Sequence, residues 1–156
     1  MAQQHFTLVS PAFEHDTFLP SRHTCDGRNV SPELRWSHAP ANTRSFAIVL
    51  EDIDAAAGRP STHWVLFDLP GNSDRLQADV GETGVPGRND FQHHKYAGPC
   101  PAPNRGQHRY VFSLYALDVD SLGLSPGVER SKVDAAIGEH LLDQTQLRAR
   151  FERRTF

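Results

Sequence analysis

The chain is short of the residues that mark several classes of protein. It has only 2 cysteines in 156 residues, too few for a disulfide scaffold. Neither stands in a C-x-x-C pair, which excludes zinc-finger and thioredoxin-type motifs. No apolar run approaches the roughly 18 residues of a membrane-spanning helix, so no stable membrane insertion is expected. Met1-Ala2-Gln3-Gln4-His5 has neither a basic stretch nor an apolar one, so no export signal is read there and a cytoplasmic location is expected. Neither sign of charge dominates: 16 Lys+Arg against 19 Asp+Glu give a formal charge of −3, with a pI near 6.3. That balance argues against a broad basic face for duplexes, and no nucleic-acid partner is expected. Also missing are a G-x-S-x-G elbow, an H-E-x-x-H pair and a Walker loop.

What is present describes one domain, residues 1–156. At this length a chain buries roughly two-thirds of its unfolded surface and needs no metal or disulfide to fold; no cofactor is expected. A hydrophobic content of 38% and a mean hydropathy of −0.53 are low for a globular chain but too apolar for disorder. The 11 glycines and 11 prolines are spread out rather than pooled in a linker, as in a chain of strands joined by ordered loops. The 9 histidines, if all protonated, would carry the formal charge from −3 to +6, which makes acidic ligands a pH-dependent possibility.

Three segments read as strands: Ser45–Leu50, Thr62–Leu69 ending at Pro70-Gly71, and Arg109–Leu117 with its regular aromatics. Weaker strands are expected at Phe6–Ser10 and Glu33–Trp36. The near-continuous apolar runs predict sheets buried on both faces, as in a sandwich or barrel. Val133, Ile137 and Leu141 make one helical stripe from Ser131, with Ser131 and Asp134 as a cap signature. Leu147, Ala149 and Phe151 then alternate with charged residues, which predicts a final edge strand. The fold class is mostly β with a late helix, an α+β arrangement.

Polar residues interrupt the apolar strands at their ends: Glu51-Asp52-Ile53-Asp54, then His63 beside Trp64, then Tyr96–Pro101 and Gly106–Tyr110. Taken singly, each His is as well explained by a bond to a backbone carbonyl, and each Asp by a turn cap. Taken together, two Asp, two His, a Tyr and a Gly-Pro loop can converge on one pocket.

Cys25-Asp26-Gly27, Ser31-Pro32-Glu33-Leu34-Arg35-Trp36, Asp52-x-Asp54-Ala55, His63-Trp64-Val65 and Gly98-Pro99…Gly106-x-His108-Arg109-Tyr110 together resemble the phosphatidylethanolamine-binding proteins. The resemblance is to their bacterial and archaeal, Raf kinase inhibitor-like branch, and runs from about Phe6 to Phe156. It implies a large central β-sheet, a smaller sheet and helices near the C-terminus. It also implies a pocket for phosphate, sulfate, acetate or a phosphoethanolamine-like phospholipid head group, lined by Asp52, Asp54, His63, Gly98, Pro99, His108 and Tyr110, with Trp64 as a neighbour.

In such a pocket, donors to an anion are protonated His63 and His108, the Tyr110 hydroxyl and N–H groups of the Gly98 loop. Asp52 or Asp54 would orient a histidine or meet an ammonium group. The resemblance implies a binding protein that modulates a kinase or protease partner. The alternatives are a hydrolase using His/Asp acid–base chemistry in the same pocket, for which no catalytic residue is assigned, and a scaffold with a vestigial pocket. A homodimer is compatible with the resemblance. It also places Cys25 and Cys100 near the pocket, where a bond and two free thiols both remain open; cytosolic thiols are usually reduced. No metal ligands are assigned, and Arg148, Arg150, Arg153 and Arg154 read as a solvated edge face.

One departure stands out. Family members commonly carry Asp-Pro-Asp-Ala-Pro, whereas this chain has Asp52-Ile53-Asp54-Ala55-Ala56. Without rings to fix φ, a softer rim is expected, with Gly58-Arg59-Pro60 taking over part of the turn.

Overall fold

The structure, a computed structural model, describes residues 4–56 and 58–154. Nine strands and one helix follow in the order β1 (Thr7–Val9), β2 (Thr17–Phe18), β3 (Leu34–Ser37), β4 (Ser45–Asp52), β5 (Ser61–Pro70), β6 (Arg75–Leu76), β7 (Val85–Pro86), β8 (His108–Leu117), α1 (Arg130–His140) and β9 (Leu141–Phe151). They form a six-stranded sheet, β2-β9-β8-β4-β5-β7, and a three-stranded sheet, β1-β3-β6. Among these pairs only β2 and β9 run parallel.

The apolar run of β4 is buried on both faces because successive side chains feed two different cores. Phe46, Ile48 and Leu50 join Trp36, Leu34 and Leu8 under the small sheet. Ala47 and Val49 point the other way, to Val133 and Ile137 of α1. Burying those two helix residues contributes about 2 kcal/mol each.

The late region departs from expectation in two respects. Leu141 does not continue the helical stripe; it opens β9 and is 41% exposed. The α1 N-cap is Glu129, without a side-chain cap bond, and Asp134 instead accepts from Arg130 one turn earlier, at 2.7 Å. The final strand is also not an edge. Its alternation of Leu147, Ala149 and Phe151 is real, but β9 is flanked by β8 and by β2, which pairs Thr17 with Ala149. Two residues of β2 are too few to leave a recognisable strand pattern.

The arginines of that strand, and the two just beyond it, have partners as well as solvent. Arg148 donates to Asp16 (2.5 and 2.7 Å), Arg150 lies over the Phe18 ring at 5.0 Å, and Arg153 and Arg154 pair with Asp26 and Glu152. Among the described residues no helix is long and apolar enough to cross a membrane.

Candidate functional site at one end of the large sheet

The site is a consequence of strand register. In the β4–β8 ladder Asp52 sits opposite Tyr110, and His108 lies two residues earlier on β8, hence on the same face. On the other side of β4, Leu50 pairs with Trp64 and Glu51 with Thr62, so His63 is the extra residue of a β-bulge. A bulge re-aims a side chain, and here the His63 ring meets the Tyr110 ring edge-on at 5.6 Å. His108 stacks over Tyr110 at 6.3 Å. Three of the expected residues, Asp52, His63 and His108, therefore gather around a fourth, Tyr110.

Asp52 holds His108. Its Oδ2 accepts from His108 Nδ1 at 2.7 Å, and its Oδ1 accepts the Asp54 N–H at 2.9 Å. The carboxylate is 7% exposed and the imidazole 16%. A carboxylate has no proton to give, so His108 carries hydrogen on Nδ1, and Nε2 is the ring nitrogen not bonded to Asp52.

Asp54 is committed elsewhere. It accepts the Arg109 backbone N–H (2.7 Å) and two guanidinium bonds (2.9 and 2.8 Å). The Arg109 guanidinium holds the Asp54 carboxyl well below the usual range, at about 2.

His63 is held by backbone. Its Nδ1 donates to the Ala97 carbonyl at 2.7 Å, which leaves the lone pair of the neutral ring on Nε2. Burial pushes its pKa below the ordinary value, against the opposing pull of the Ala97 carbonyl and the Asp52 charge. Tyr110 forms the floor. Its hydroxyl is fully buried and makes no hydrogen bond of acceptable geometry, though it is near enough to Asp52 for that charge to add to burial in pushing its ionisation up. Trp64 turns away into the core, edge-on to Tyr96 at 5.4 Å.

Gly98 and Pro99 are structural in this arrangement. A Cβ at Gly98 would stand 2.2 Å from the His23 carbonyl oxygen, so only glycine fits. Its N–H donates to Asn29 Oδ1 at 2.7 Å, and so is not the free anion donor that the loop was expected to offer. Pro99 accepts the Cys25 N–H at 3.1 Å. The question of the cysteines is settled: Cys25 and Cys100 form a disulfide, with Cα atoms 5.4 Å apart. At the rim, Gly58 adopts φ +76° and donates to the Ala55 carbonyl at 3.3 Å.

Asn89 is the residue that sequence reasoning missed. Its buried amide donates to the carbonyls of His63 (3.2 Å) and Lys95 (2.9 Å), and accepts from the N–H groups of Phe91 (2.9 Å) and His93 (3.1 Å). One side chain thus shapes the 89–95 loop and fastens it behind His63. No local pattern announces this, because all four partners are backbone.

Bonded imidazoles and carboxylates gather at the end of an antiparallel sheet, backed by Gly-Pro and Asn-anchored loops, in a small β-protein. A family model for phosphatidylethanolamine-binding protein matches residues 9–152. The chain belongs to that family. It is 37% identical over 151 residues to a UPF0098 protein of Aquifex aeolicus, covering 94% of this chain and 88% of that one. It is 32% identical over 156 residues to the UPF0098 protein YbhB of Escherichia coli, covering 92% and 98%. The crystal structure of Escherichia coli YbcL, described as a new member of the mammalian family, superposes with a TM-score of 0.88 at 27% identity, covering 94% of this chain and 98% of that one. Carboxypeptidase Y inhibitor, seen in complex with its cognate proteinase, shares the fold at TM-score 0.58 and 18% identity.

Proposed function

We propose that this chain binds a small phosphate-type anion, in the class of phosphate or a phosphoethanolamine-like head group, at the His63–His108 pair. The observation that carries this is the Asp52–His108 bond. A nearly buried carboxylate holds an imidazole through Nδ1, near a second imidazole fixed through its own Nδ1. Protonated His108 donates to the anion while Asp52 balances its charge. His63, kept neutral by burial, accepts a proton from a phosphate monoanion or becomes charged as the dianion enters.

Because both routes put protons into the complex, phosphoethanolamine titrated by calorimetry binds several-fold more tightly at pH 6 than at pH 8. His108→Ala removes that binding. Equal affinity at the two pH values, or full binding by the variant, overturns the assignment. The hydrolase alternative requires turnover, and phosphoethanolamine recovered unchanged argues for binding alone. Modulation of a kinase or protease partner is the further part of this proposal, with occupancy of the pocket as the signal. The disulfide bears on the expected cytoplasmic location, since cytosolic thiols are held reduced. In that compartment Cys25 and Cys100 would be free.

A further inference from the structure

The loop that orients His63 is itself fastened to a distant piece of chain. Ala97 and His63 exchange two bonds: the Ala97 N–H donates to the His63 carbonyl at 3.1 Å, and His63 Nδ1 donates to the Ala97 carbonyl at 2.7 Å. On its other side the loop meets residues 23–29. The Tyr96 hydroxyl donates to the His23 carbonyl at 2.6 Å, and the Cys25 N–H donates to the Pro99 carbonyl at 3.1 Å. The Gly98 N–H is held by Asn29. The Cys25–Cys100 bond closes this seam. Residues 102–107, just beyond it, are exposed, so the sulfurs stand where a held loop passes into solvent.

The two sulfurs are not equivalent. Cys100 is exposed, whereas Cys25 is partly buried. The Arg153 guanidinium donates to Cys100 Sγ at 3.7 Å and to Asp26 Oδ1 at 3.1 Å, so one arginine touches both sides of the bond. An open sulfur is one that a thiolate can attack, and a fixed cation beside it favours its own thiolate when the bond is broken. A disulfide buried only to staple a core needs neither.

We propose that Cys25–Cys100 is a reversible thiol–disulfide site with Cys100 as the reactive sulfur, whose oxidised form holds the 96–100 loop against His63 and whose reduced form releases it. The co-reactant is a small thiol such as glutathione. Its thiolate attacks Cys100 Sγ; the S–S bond breaks and the electron pair leaves on Cys25 Sγ, which takes a proton. A second thiolate attacks the sulfur of the attached small thiol, forming the small-molecule disulfide, and Cys100 leaves as a thiolate beside Arg153. The protein disulfide gains two electrons, and two small thiols become one disulfide. Oxidation by that disulfide runs the same steps backwards, with the Cys100 thiolate as nucleophile. Nothing in this chemistry depends on what the His63–His108 pair binds, and its readouts lie on the protein alone.

Glutathione in excess opens the bond in the folded protein. In a brief pulse of iodoacetamide, Cys100 then takes the label about tenfold faster than Cys25, and Arg153→Gln brings the two rates to within about twofold. Hydrogen exchange reads the loop. On a timescale too short for Phe112 of the central strand β8 to exchange in either form, the Ala97 and Gly98 amides exchange about tenfold faster after reduction. The double variant Cys25→Ser/Cys100→Ser shows the same fast exchange with no thiol added.

A bond that resists glutathione in the folded protein overturns the site. Equal labelling of the two cysteines, or a Cys100 preference that survives in Arg153→Gln, overturns Cys100 as the sulfur prepared by the arginine. Unchanged exchange at Ala97 and Gly98 overturns the release of the loop. Loss of Phe112 protection on reduction overturns it as well, because the bond then holds the whole fold rather than one loop.

Discussion

The two histidine walls of the candidate site meet around Tyr110, yet they are built by opposite means. The His108 wall is ionic: a carboxylate orients the ring, and the neighbouring Asp54–Arg109 pair ties the strand ends together near solvent. The His63 wall is peptide: a bulge, a carbonyl from the 96–100 loop, and a loop shaped by one buried amide. The difference separates two jobs. A carboxylate partner fixes the His108 ring through Nδ1. Burial pushes the His63 pKa down, and the Ala97 carbonyl fixes the direction of its ring.

The sharpest way to break the contrast is to remove the root of the His63 wall. Asn89→Ala deletes four hydrogen bonds to backbone groups, most of them partly buried. At about 1 kcal/mol net each, offset by some relaxation, it lowers stability by about 3 kcal/mol. Urea unfolding reads this as a fall in midpoint at constant slope. A loss below about 1 kcal/mol would show that the loop holds its shape without the amide.

Acid sharpens the contrast with a smaller effect. His63 titrates lower when folded than its ordinary 6.5, so between those values the unfolded chain binds more protons. Stability from this residue is therefore complete above about pH 6.5 and declines as the pH falls below it. His63→Gln has no such proton, and unfolding free energies measured from pH 7.5 to 5 should decline less steeply for it than for wild type. Parallel profiles would mean that His63 is not buried neutral.

The smallest effect belongs to the ionic wall. Arg109 is half exposed, so Arg109→Ala leaves the unfolding midpoint nearly unchanged. It leaves a local mark all the same: the Asp54 carboxyl, at about 2 beside the guanidinium, moves up toward the ordinary 3.8. A carboxyl carbon NMR titration that finds Asp54 unmoved would remove Arg109 as the cause.

These contrasts also divide what the sequence announces from what it conceals. The strands around Ser45–Leu50, Thr62–Leu69 and Arg109–Leu117 are written in consecutive apolar residues, and the polar breaks at their ends mark Asp52, His63, His108 and Tyr110. Register does the rest, because Asp52 opposite Tyr110 follows once β4 and β8 pair. The peptide wall leaves no such trace. Asn89 works through backbone groups of any identity, the Gly98 N–H is claimed by an asparagine 69 positions away, and the expectation of free donors there fails for that reason. Leu141 misleads because an apolar residue at helical spacing serves equally well as the first residue of a strand.

The Cys25–Cys100 bond, 75 positions apart in sequence, also has a mechanical meaning. It closes a covalent ring through β3, β4, β5, β6 and β7. Tension applied at the two ends of the chain passes across the sulfurs and bypasses everything between them. Roughly 250 Å of contour, at about 3.4 Å per residue, stays out of reach of the pull, and both β4 and the His63 bulge lie inside that shielded length.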